Sequence, residues 1–477
     1  MTNWLRPSDE VALFILDDSG IFVSEARDHV ELFNTAATFV WCCLEDGMAP
    51  ADIVEAYATT FAMARDRAQE TVHDLLHRWH GLGYLLGAPP EPAPEIDFTT
   101  ALGRLLVNPA LRTAFADQPA EAVRRMGVRA ADHAPLAALS PVEIEQQAHA
   151  LRQKAASISH HAGLAANRAT GSFLRRTLSP QTPRTDQSRR YQVVGTTLQI
   201  RYANAGVADL VHPVLANLTI ANDGPADMIL DVLEAGGGYF LLEDGEPLYR
   251  CGQTTEIAPM VIFAIKAIAM NRTKSLMLIH AGAVLQNERC LLLPGPSGGG
   301  KTTLTGALIQ SGFGYGAEDA VMLNPSTQSV LPLPLSLAVK YDAAEPLAAY
   351  YPALESLPVH VRQDGRRLRY LCPPSSVLPN DPAQTYPVDW IIFPTRVPGA
   401  APAVQALGKA EALQQLLTHC MSAADSLDIA GVRQLVQWMR TVACYELHYS
   451  ALPDAISEIG RLTGFSPTTS LKCADKV

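Results

Sequence analysis

A chain of 477 residues with 37 Lys+Arg against 48 Asp+Glu carries a formal net charge of −11. At roughly 100–200 residues per domain, that length suggests two to four domains. A composition of 48% hydrophobic and 18% charged residues belongs to a globular protein, not a disordered one. The acidic balance excludes a protein built to grip nucleic acid, which needs clustered Lys and Arg to displace counterions.

No run reaches the roughly 18 consecutive apolar residues of a membrane span; the longest, Ala258 to Met270, is interrupted by Lys266. The first ten residues lack the basic-then-apolar order of a secretory signal. Eight cysteines are scattered, with one adjacent pair (Cys42, Cys43) and no CxxC. That usage predicts reduced thiols in a cytoplasmic protein, without a disulfide scaffold or zinc knuckle. The charge is unevenly spread: residues 1–87 hold 14 acidic and 5 basic side chains, residues 88–190 hold 9 and 13, and residues 191–477 hold 25 and 19. The breaks coincide with the Pro-rich stretches 88–94 and 179–184, where Pro removes donors and favours extended linkers.

In chain order, apolar runs Val11–Leu16 and Ile21–Val23 flank Asp17-Asp18-Ser19-Gly20, which predicts a hairpin. Asn34 caps a predicted helix running to about Leu44, with Gly47 at its exit. A second helix follows Pro50, carrying Ile53, Val54, Tyr57 and Phe61 at helical spacing. A third runs from about Arg65 to His80 with Val72, Leu75, Leu76 and Trp79 on its apolar face. This order suits a small winged-helix-like α+β module.

The runs Leu32-Phe-Asn-Thr-Ala-Ala, Leu44-Glu-Asp-Gly-Met-Ala-Pro-Ala-Asp-Ile-Val and Leu75-Leu through Gly83-Tyr-Leu resemble the PqqD family. These are peptide chaperones, or precursor-peptide recognition elements, of peptide-modifying pathways. The resemblance covers roughly residues 8–86, and its motif is loose and mostly core-forming. It implies that a precursor's leader peptide adds a strand to the sheet edge and packs on the third helix. By position, that puts the leader near Val30, Leu32, Arg67 and Asp74. The other reading of the same elements is a plain winged-helix interaction module, for which DNA is a poor partner at a net charge of −9.

The middle segment, 88–190, reads as helical: Leu105–Phe115, Ala120–Met126, and a start at Ser140-Pro-Val-Glu143 with capping-box spacing. The stretch from Asn108 to Gly127 vaguely resembles the small helical subunit of extradiol ring-cleaving dioxygenases, and no chemistry is carried over from it. His160 and His161 point about 100° apart on a helix and lack a partner cluster, so they are read as solvated. Residues 157–188 are rich in Ser, Thr and Arg and read as a tether.

The run that carries chemistry is Gly295-Pro296-Ser297-Gly298-Gly299-Gly300-Lys301-Thr302-Thr303, which fulfils GxxxxGK[ST]. An apolar run, Leu291–Leu293, enters it, and a helical pattern (Leu304, Ala307, Leu308) leaves it. Glycines let successive N–H groups curl around phosphate oxygens, and the helix N-terminus adds partial positive charge. Lys301 then bridges the outer phosphates of ATP and the Thr302 hydroxyl ligates Mg²⁺. Glu318-Asp319 follows seventeen residues after Lys301, and His280 stands twenty-one residues before it. An acidic pair one strand beyond such a loop can ligate metal and accept a proton.

This constellation resembles the HPr serine kinase/phosphorylase superfamily, and more closely its HprK-related kinases, some of which are encoded beside PqqD-like proteins. The loose agreement runs from about 190 to 475, through Lys340, Val388-Asp-Trp-Ile-Ile-Phe-Pro and Tyr445-Glu-Leu-His-Tyr. The resemblance implies His280 near the transferring phosphate, Lys301 and Thr302 on nucleotide and metal, and the acidic pair at the acceptor. Glu318 departs from the usual Asp by one methylene, so Asp319 is the base if Glu318 serves the metal. The phosphorylase-linked C-terminal signature is absent, which puts the reverse reaction in doubt. Residues 190–275 read as short strands of a lid, with turns at Gly236-Gly-Gly and Asp244-Gly. Lys340, Arg366, Arg367 and Arg396 are candidate phosphate or peptide contacts.

The expectation is therefore a multidomain α/β protein with three parts. They are a PqqD-like module (1–87), a helical segment and linker (88–190), and an HprK-like P-loop kinase domain (191–477). Its expected action is to phosphorylate a Ser or Thr hydroxyl of a ribosomally made precursor peptide with ATP and Mg²⁺. The alternatives are a nucleotide-gated peptide-delivery protein without kinase activity, and a kinase acting on a small molecule or on its own linker. Relatives of such kinases are often oligomeric, so the resemblance also implies a homo-oligomer; neither nucleic acid nor membrane is expected as a partner.

Overall fold

A computed structural model describes residues 5–17, 19–25, 29–87, 98, 101–102, 105, 109–126, 128–142, 144–145, 187–221, 224–272, 277–324, 327–341, 344–422 and 429–465. The fold is mixed α/β, with five sheets among the described residues. The chain divides into two compact units, Met1–Ala162 and Gly163–Val477.

In the first unit, β1 (Arg6–Pro7) is followed by the predicted hairpin of β2 (Val11–Leu16) and β3 (Ser19–Ser24), turning at Asp17 with φ +54°. A third strand, β4 (His29–Phe33), pairs with β3 and, among the described residues, forms one edge of the sheet order β2-β3-β4. Helix α1 (Thr35–Glu45) starts where the Asn34 side chain accepts from the Ala37 amide at 2.9 Å. Helices α2 (Pro50–Thr60) and α3 (Arg65–Gly81) follow, and β5 (Leu85–Leu86) returns to pair with β1. The core is aromatic: Phe22 stacks on Phe33 at 4.7 Å, and Trp41 meets Trp79 edge-on at 5.1 Å. On α3, Ala68, Val72, Leu76 and Trp79 are buried, as a stripe with helical period must be. A second, separate core gathers Leu105, Phe115, Val123 and Leu136 around α4 (Pro109–Asp117), α5 (Pro119–Arg125) and α6 (Ala130–Ala137). Glu143 of the predicted capping box, His160, His161 and most of the tether lie outside the described residues.

In the second unit, β6 (Gln187–Val193), β7 (Thr196–Tyr202), β8 (Met228–Ala235), β9 (Gly238–Glu243) and β10 (Glu246–Cys251) form a five-stranded sheet. Only β7 and β8 run parallel, with α7 (Ala205–Val211) in the crossover between them. The predicted turns are there, with φ +56° and +76° at Gly236 and Gly237 and +47° and +86° at Asp244 and Gly245. A reading of 190–275 as strands alone is corrected: 205–218 and 257–272 are helical. Both runs are apolar nearly all round, so no period separates helix from strand. Helix α8 (Ile257–Arg272) packs into the core of that sheet. With the turn before it, Thr254–Arg272 is 19 residues long at mean hydropathy 1.2, long and apolar enough to cross a membrane by composition. The run still holds no 18 consecutive apolar residues, being interrupted by Lys266. In addition, 56% of the apolar window is buried inside the fold, as in a core helix.

The large sheet is built from β11 (Met277–Ile279), β12 (Ala281–Gln286), β13 (Arg289–Pro294), β14 (Gly314–Glu318), β15 (Val321–Asn324), β16 (Ser329–Leu331), β20 (Tyr386–Arg396), β21 (Ala403–Ala406), β22 (Cys420–Ser422) and β23 (Ala443–Tyr449). A small sheet of β17 (Leu337–Lys340), β18 (His360–Val361) and β19 (Arg367–Leu371) stands apart. β13 lies between antiparallel β12 and parallel β20, and β20 is followed by parallel β23. Leu291, Leu292 and Leu293 are buried, as a strand covered on both faces requires. Helix α9 (Lys301–Gln310) leaves the end of β13 and packs against α10 (Leu452–Thr463) in one core.

The register sets what stands at the carboxyl end of β13. Gly282 of β12 lies across from Leu293 on one side and Glu318 on the other, so β14 delivers Glu318 two strands from the loop that follows β13. A Cβ on Gly282 would come within 2.2 Å of Thr305 Oγ1 on α9. Gly282→Ala is therefore expected to cost about 1–3 kcal/mol through overpacking, and Gly282→Ala with Thr305→Ala to recover part of it. Denaturant unfolding of the two variants checks this, and an unchanged midpoint for Gly282→Ala contradicts it.

Candidate functional site

The loop Gly295–Gly300 joins β13 to α9, with φ +94° at Gly298 and +86° at Gly300. Those left-handed backbones are open to glycine and costly to most other residues. The Lys301 side chain is buried and folds back over the loop, donating to the carbonyls of Gly295 (2.7 Å) and Pro296 (2.8 Å). Burial pushes its amine down to about 8; Glu318 and Asp319 pull it up and Lys340 pushes it further down. Ser297 is exposed and its Oγ receives Lys340 Nζ at 3.3 Å and Arg366 Nη1 at 3.4 Å.

The acidic pair is split between two environments. Glu318, buried at the end of β14, accepts from the Thr302 hydroxyl and, at 3.4 Å, from the Ala338 amide. Burial raises its carboxyl, the neighbouring Asp319 raises it further, and Lys266 and Thr302 oppose them. Asp319 has φ +67° and turns to the other side. It accepts from Lys266 Nζ at 2.6 Å and stands 3.2 Å from His280 Nε2. Lys266 holds that carboxyl well below the usual range, with His280 adding to the effect. His280 is itself fixed by its amide donating to the His419 carbonyl at 2.8 Å. Burial, with Lys301 and His280 nearby, lowers the His419 ring to about 4.

Lys301, Thr302, Glu318, Asp319 and His280 are thus brought together, together with the loop residues Gly295 to Gly300. Lys340 and Arg366 reach the loop. Arg367 instead lies over the Tyr341 ring at 4.1 Å, and Arg396 donates to the Ser450 carbonyl at 3.2 Å. Two members were missed from sequence. Lys266 was legible only as the one cation breaking an apolar run. Tyr449, at the end of β23, is fully buried; a Cβ on Gly300 would meet its hydroxyl at 3.0 Å, and that hydroxyl has no hydrogen-bond partner among the described residues.

These residues fit a nucleotide with its metal. The loop is a cradle that side chains would fill, with a lysine and an orphaned buried hydroxyl at its rim. A hydroxyl beside a carboxylate, Thr302 with Glu318, is the hard donor set Mg²⁺ takes when phosphates and waters complete its shell. No group of three or more His, Cys, Asp or Glu able to hold a metal alone exists among the described residues.

A second candidate surface lies on the first unit. The free edge of β4 runs beside α3, where Arg78 Nη2 meets Glu31 Oε1 at 2.5 Å. Alternation along the strand puts His29, Glu31 and Phe33 on one side, and Val30 and Leu32 on the other. Since Glu31 meets Arg78 and Phe33 stacks on Trp79, it is Glu31, not Val30 or Leu32, whose side chain lies against α3. Arg67 and Asp74 are exposed on α3, eleven and four residues before Arg78 and so on its side of the helix. Asp66, Gln69, Glu70, His73 and Asp74 line a shallow, open cavity of about 340 Å³.

No family model matches the chain, and no curated protein matches it. Among solved structures it is similar to TbiB1 in complex with the TbiA(beta) leader peptide, at 21% identity and a TM-score of 0.17. That similarity covers 18% of this chain and 99% of the other.

The Lys301 amine gives a pH test. Its folded value of about 8 lies below the ordinary 10.5, so the folded chain sheds this proton before the unfolded chain does. The cost of burying the charge is full below about pH 8 and gone above about 10.5. Acylation of Lys301 followed by mass spectrometry across pH is expected to show a midpoint near 8, lower still in Glu318→Gln. A midpoint near the free-lysine value contradicts the burial argument.

Proposed function

We propose that the chain is an ATP-dependent P-loop kinase of the HprK-related kind, acting on a Ser or Thr hydroxyl of a precursor peptide recruited by a PqqD-like, winged-helix-like module at residues 1–87. The observation that carries this reading is the convergence of Lys301, Thr302, Glu318, Asp319 and His280 on one glycine-rich loop. Mg²⁺, when bound, supplies charge neutralisation to the phosphates. Thr302 and Glu318 would hold it. Lys301 exchanges its loop carbonyls for phosphate oxygens, an anionic partner that restores the charge burial disfavours.

Asp319 faces the acceptor and takes its proton, while His280 and Lys266 hold the carboxylate in one orientation. A carboxylate held this far down is a weak base. Phosphoryl transfer through a loose, metaphosphate-like transition state asks mainly for orientation and charge, so the weakness is tolerable. The α-phosphate end of the loop is served by backbone N–H groups and the α9 N-terminus.

Recruitment rests on β4, an edge strand whose outward backbone groups can pair with an added strand, and on α3 beside it. The acidic groups of α3 and the net charge of −9 over residues 1–87 favour a basic or amphipathic leader.

Two experiments test the two halves. After incubation with ATP, Mg²⁺ and a precursor peptide encoded beside this gene, mass spectrometry is expected to show a gain of about 80 Da, one phosphate, absent in Lys301→Ala. ATP consumed with no gain on any peptide sinks the kinase in favour of nucleotide-gated delivery, and a gain on the chain itself moves the acceptor to its own linker. Leader affinity is expected to fall about tenfold between low and roughly 0.5 M salt; indifference to salt removes the electrostatic part of recruitment.

A further inference from the structure

Tyr449 ends β23, and its ring lies in the same core as Leu304 and Leu308 of α9. Its backbone is fixed: the carbonyl accepts from the Val397 amide at 2.8 Å, and the strand pairs in parallel with β20 at Arg396. The residue is fully buried, and burial raises the phenol against an opposing pull from Arg396. Its hydroxyl therefore stays protonated, a donor, at neutral pH. That donor has no hydrogen-bond partner among the described residues. A phenylalanine ring fills the same space without it, and a buried hydroxyl left unpaired costs stability. Buried polar groups without partners are exceptions that need a reason.

The reason lies in what the hydroxyl faces. A Cβ built on Gly300 would meet it at 3.0 Å. Gly300 is the last loop residue before Lys301, and it and Gly298 take left-handed backbones on either side of Gly299. Such alternation lets successive N–H groups point to one side, toward an anion, so the carbonyls between them point to the other. In this structure the loop bonds to itself. The Gly299 amide donates to the Pro296 carbonyl at 3.1 Å, and Lys301 donates to that carbonyl and to the Gly295 carbonyl. A phosphate competes for these same two donors. As they turn to it, the loop backbone turns with them, and its carbonyls swing toward the buried side where the Tyr449 hydroxyl stands.

We propose that Tyr449 is a positioning residue of the phosphate loop: when the loop turns its N–H groups onto phosphate, the Tyr449 hydroxyl donates to a carbonyl of the Gly298–Gly300 turn and holds it there. This rests on the nucleotide reading above and deepens it. The hydroxyl touches backbone and not the nucleotide, so it serves diphosphate and triphosphate alike. The unpaired donor destabilises the loop as it bonds to itself, and forming the new hydrogen bond adds to nucleotide affinity.

The test sets affinity against stability, which a purely structural tyrosine moves together. Calorimetric titration of the full chain with ATP and with ADP, each with Mg²⁺, is paired with thermal melting for wild type, Tyr449→Phe and Thr305→Val. Thr305 is the control: its hydroxyl is also buried and without a partner among the described residues, but it stands one turn into α9 against Gly282. Tyr449→Phe is expected to weaken ATP and ADP by the same factor, about three- to tenfold, the worth of one hydrogen bond. Its melting midpoint is expected to be unchanged or raised by up to about 4 °C. Thr305→Val is expected to leave both affinities within about twofold. Unchanged affinity in Tyr449→Phe, weaker binding with a lowered midpoint, or equal weakening by Thr305→Val overturns the role while leaving the nucleotide reading standing. If wild type binds neither nucleotide, that reading falls and the role with it.

Discussion

Two carboxyls on adjacent residues at the end of a buried strand repel each other when both are ionised, and the candidate site is organised around keeping them apart. At an effective dielectric near 20, like charges about 5 Å apart cost roughly 3 kcal/mol. Strand alternation already sends neighbouring side chains to opposite faces, and the left-handed backbone at Asp319 turns the second one away. Each then needs its own partner. Glu318 finds the Thr302 hydroxyl and an amide; Asp319 finds an ammonium and an imidazole. The second set is much the stronger, which is why the two carboxyls move in opposite directions, up at 318 and down at 319.

That solution reaches far into the second unit. Lys266 comes from the middle of an otherwise apolar helix, and an ammonium there is tolerable because it meets Asp319 at 2.6 Å. His280 is delivered by the first residue before β12, and its backbone is held by the His419 carbonyl. β12 itself must let α9 approach, which explains glycine at 282. Site residues thus come from two helices (Lys266 on α8, Lys301 and Thr302 on α9), from strand ends and from the loop between β13 and α9, and helices and strands position side chains more precisely than loops do.

What the sequence made legible follows from which signals are local. The glycine-rich loop, the Asn34 cap, the hairpin at residues 11–24 and the three helices after it are written in neighbouring residues, and all stand where the sequence puts them. β4 escaped because a five-residue edge strand carrying His29 and Glu31 shows little apolar alternation. Helix α8 escaped because its sequence is apolar on nearly every side, which erases the helical period. Tyr449 was visible only as part of a terminal motif. What joins it to Gly300 is the parallel order of β13, β20 and β23, a long-range pairing no local pattern encodes. The same holds for Lys266, whose partner lies 53 residues away.

The longer acid at position 318 takes on a different meaning in this setting. If that residue were the base, an extra methylene would move the proton acceptor by about 1 Å, a displacement able to slow transfer markedly. In this fold, residue 318 instead spans from the end of β14 to the Thr302 hydroxyl on α9 while also taking the Ala338 amide of β17. Reach is the property that task requires, and Glu has more of it than Asp. The group that faces His280 and Lys266 is Asp319, whose short side chain leaves few rotamers to fix. Under the proposed kinase reading, the departure therefore falls on the metal side, where a flexible carboxylate is accommodated by waters in the metal's shell, and the base position retains its aspartate.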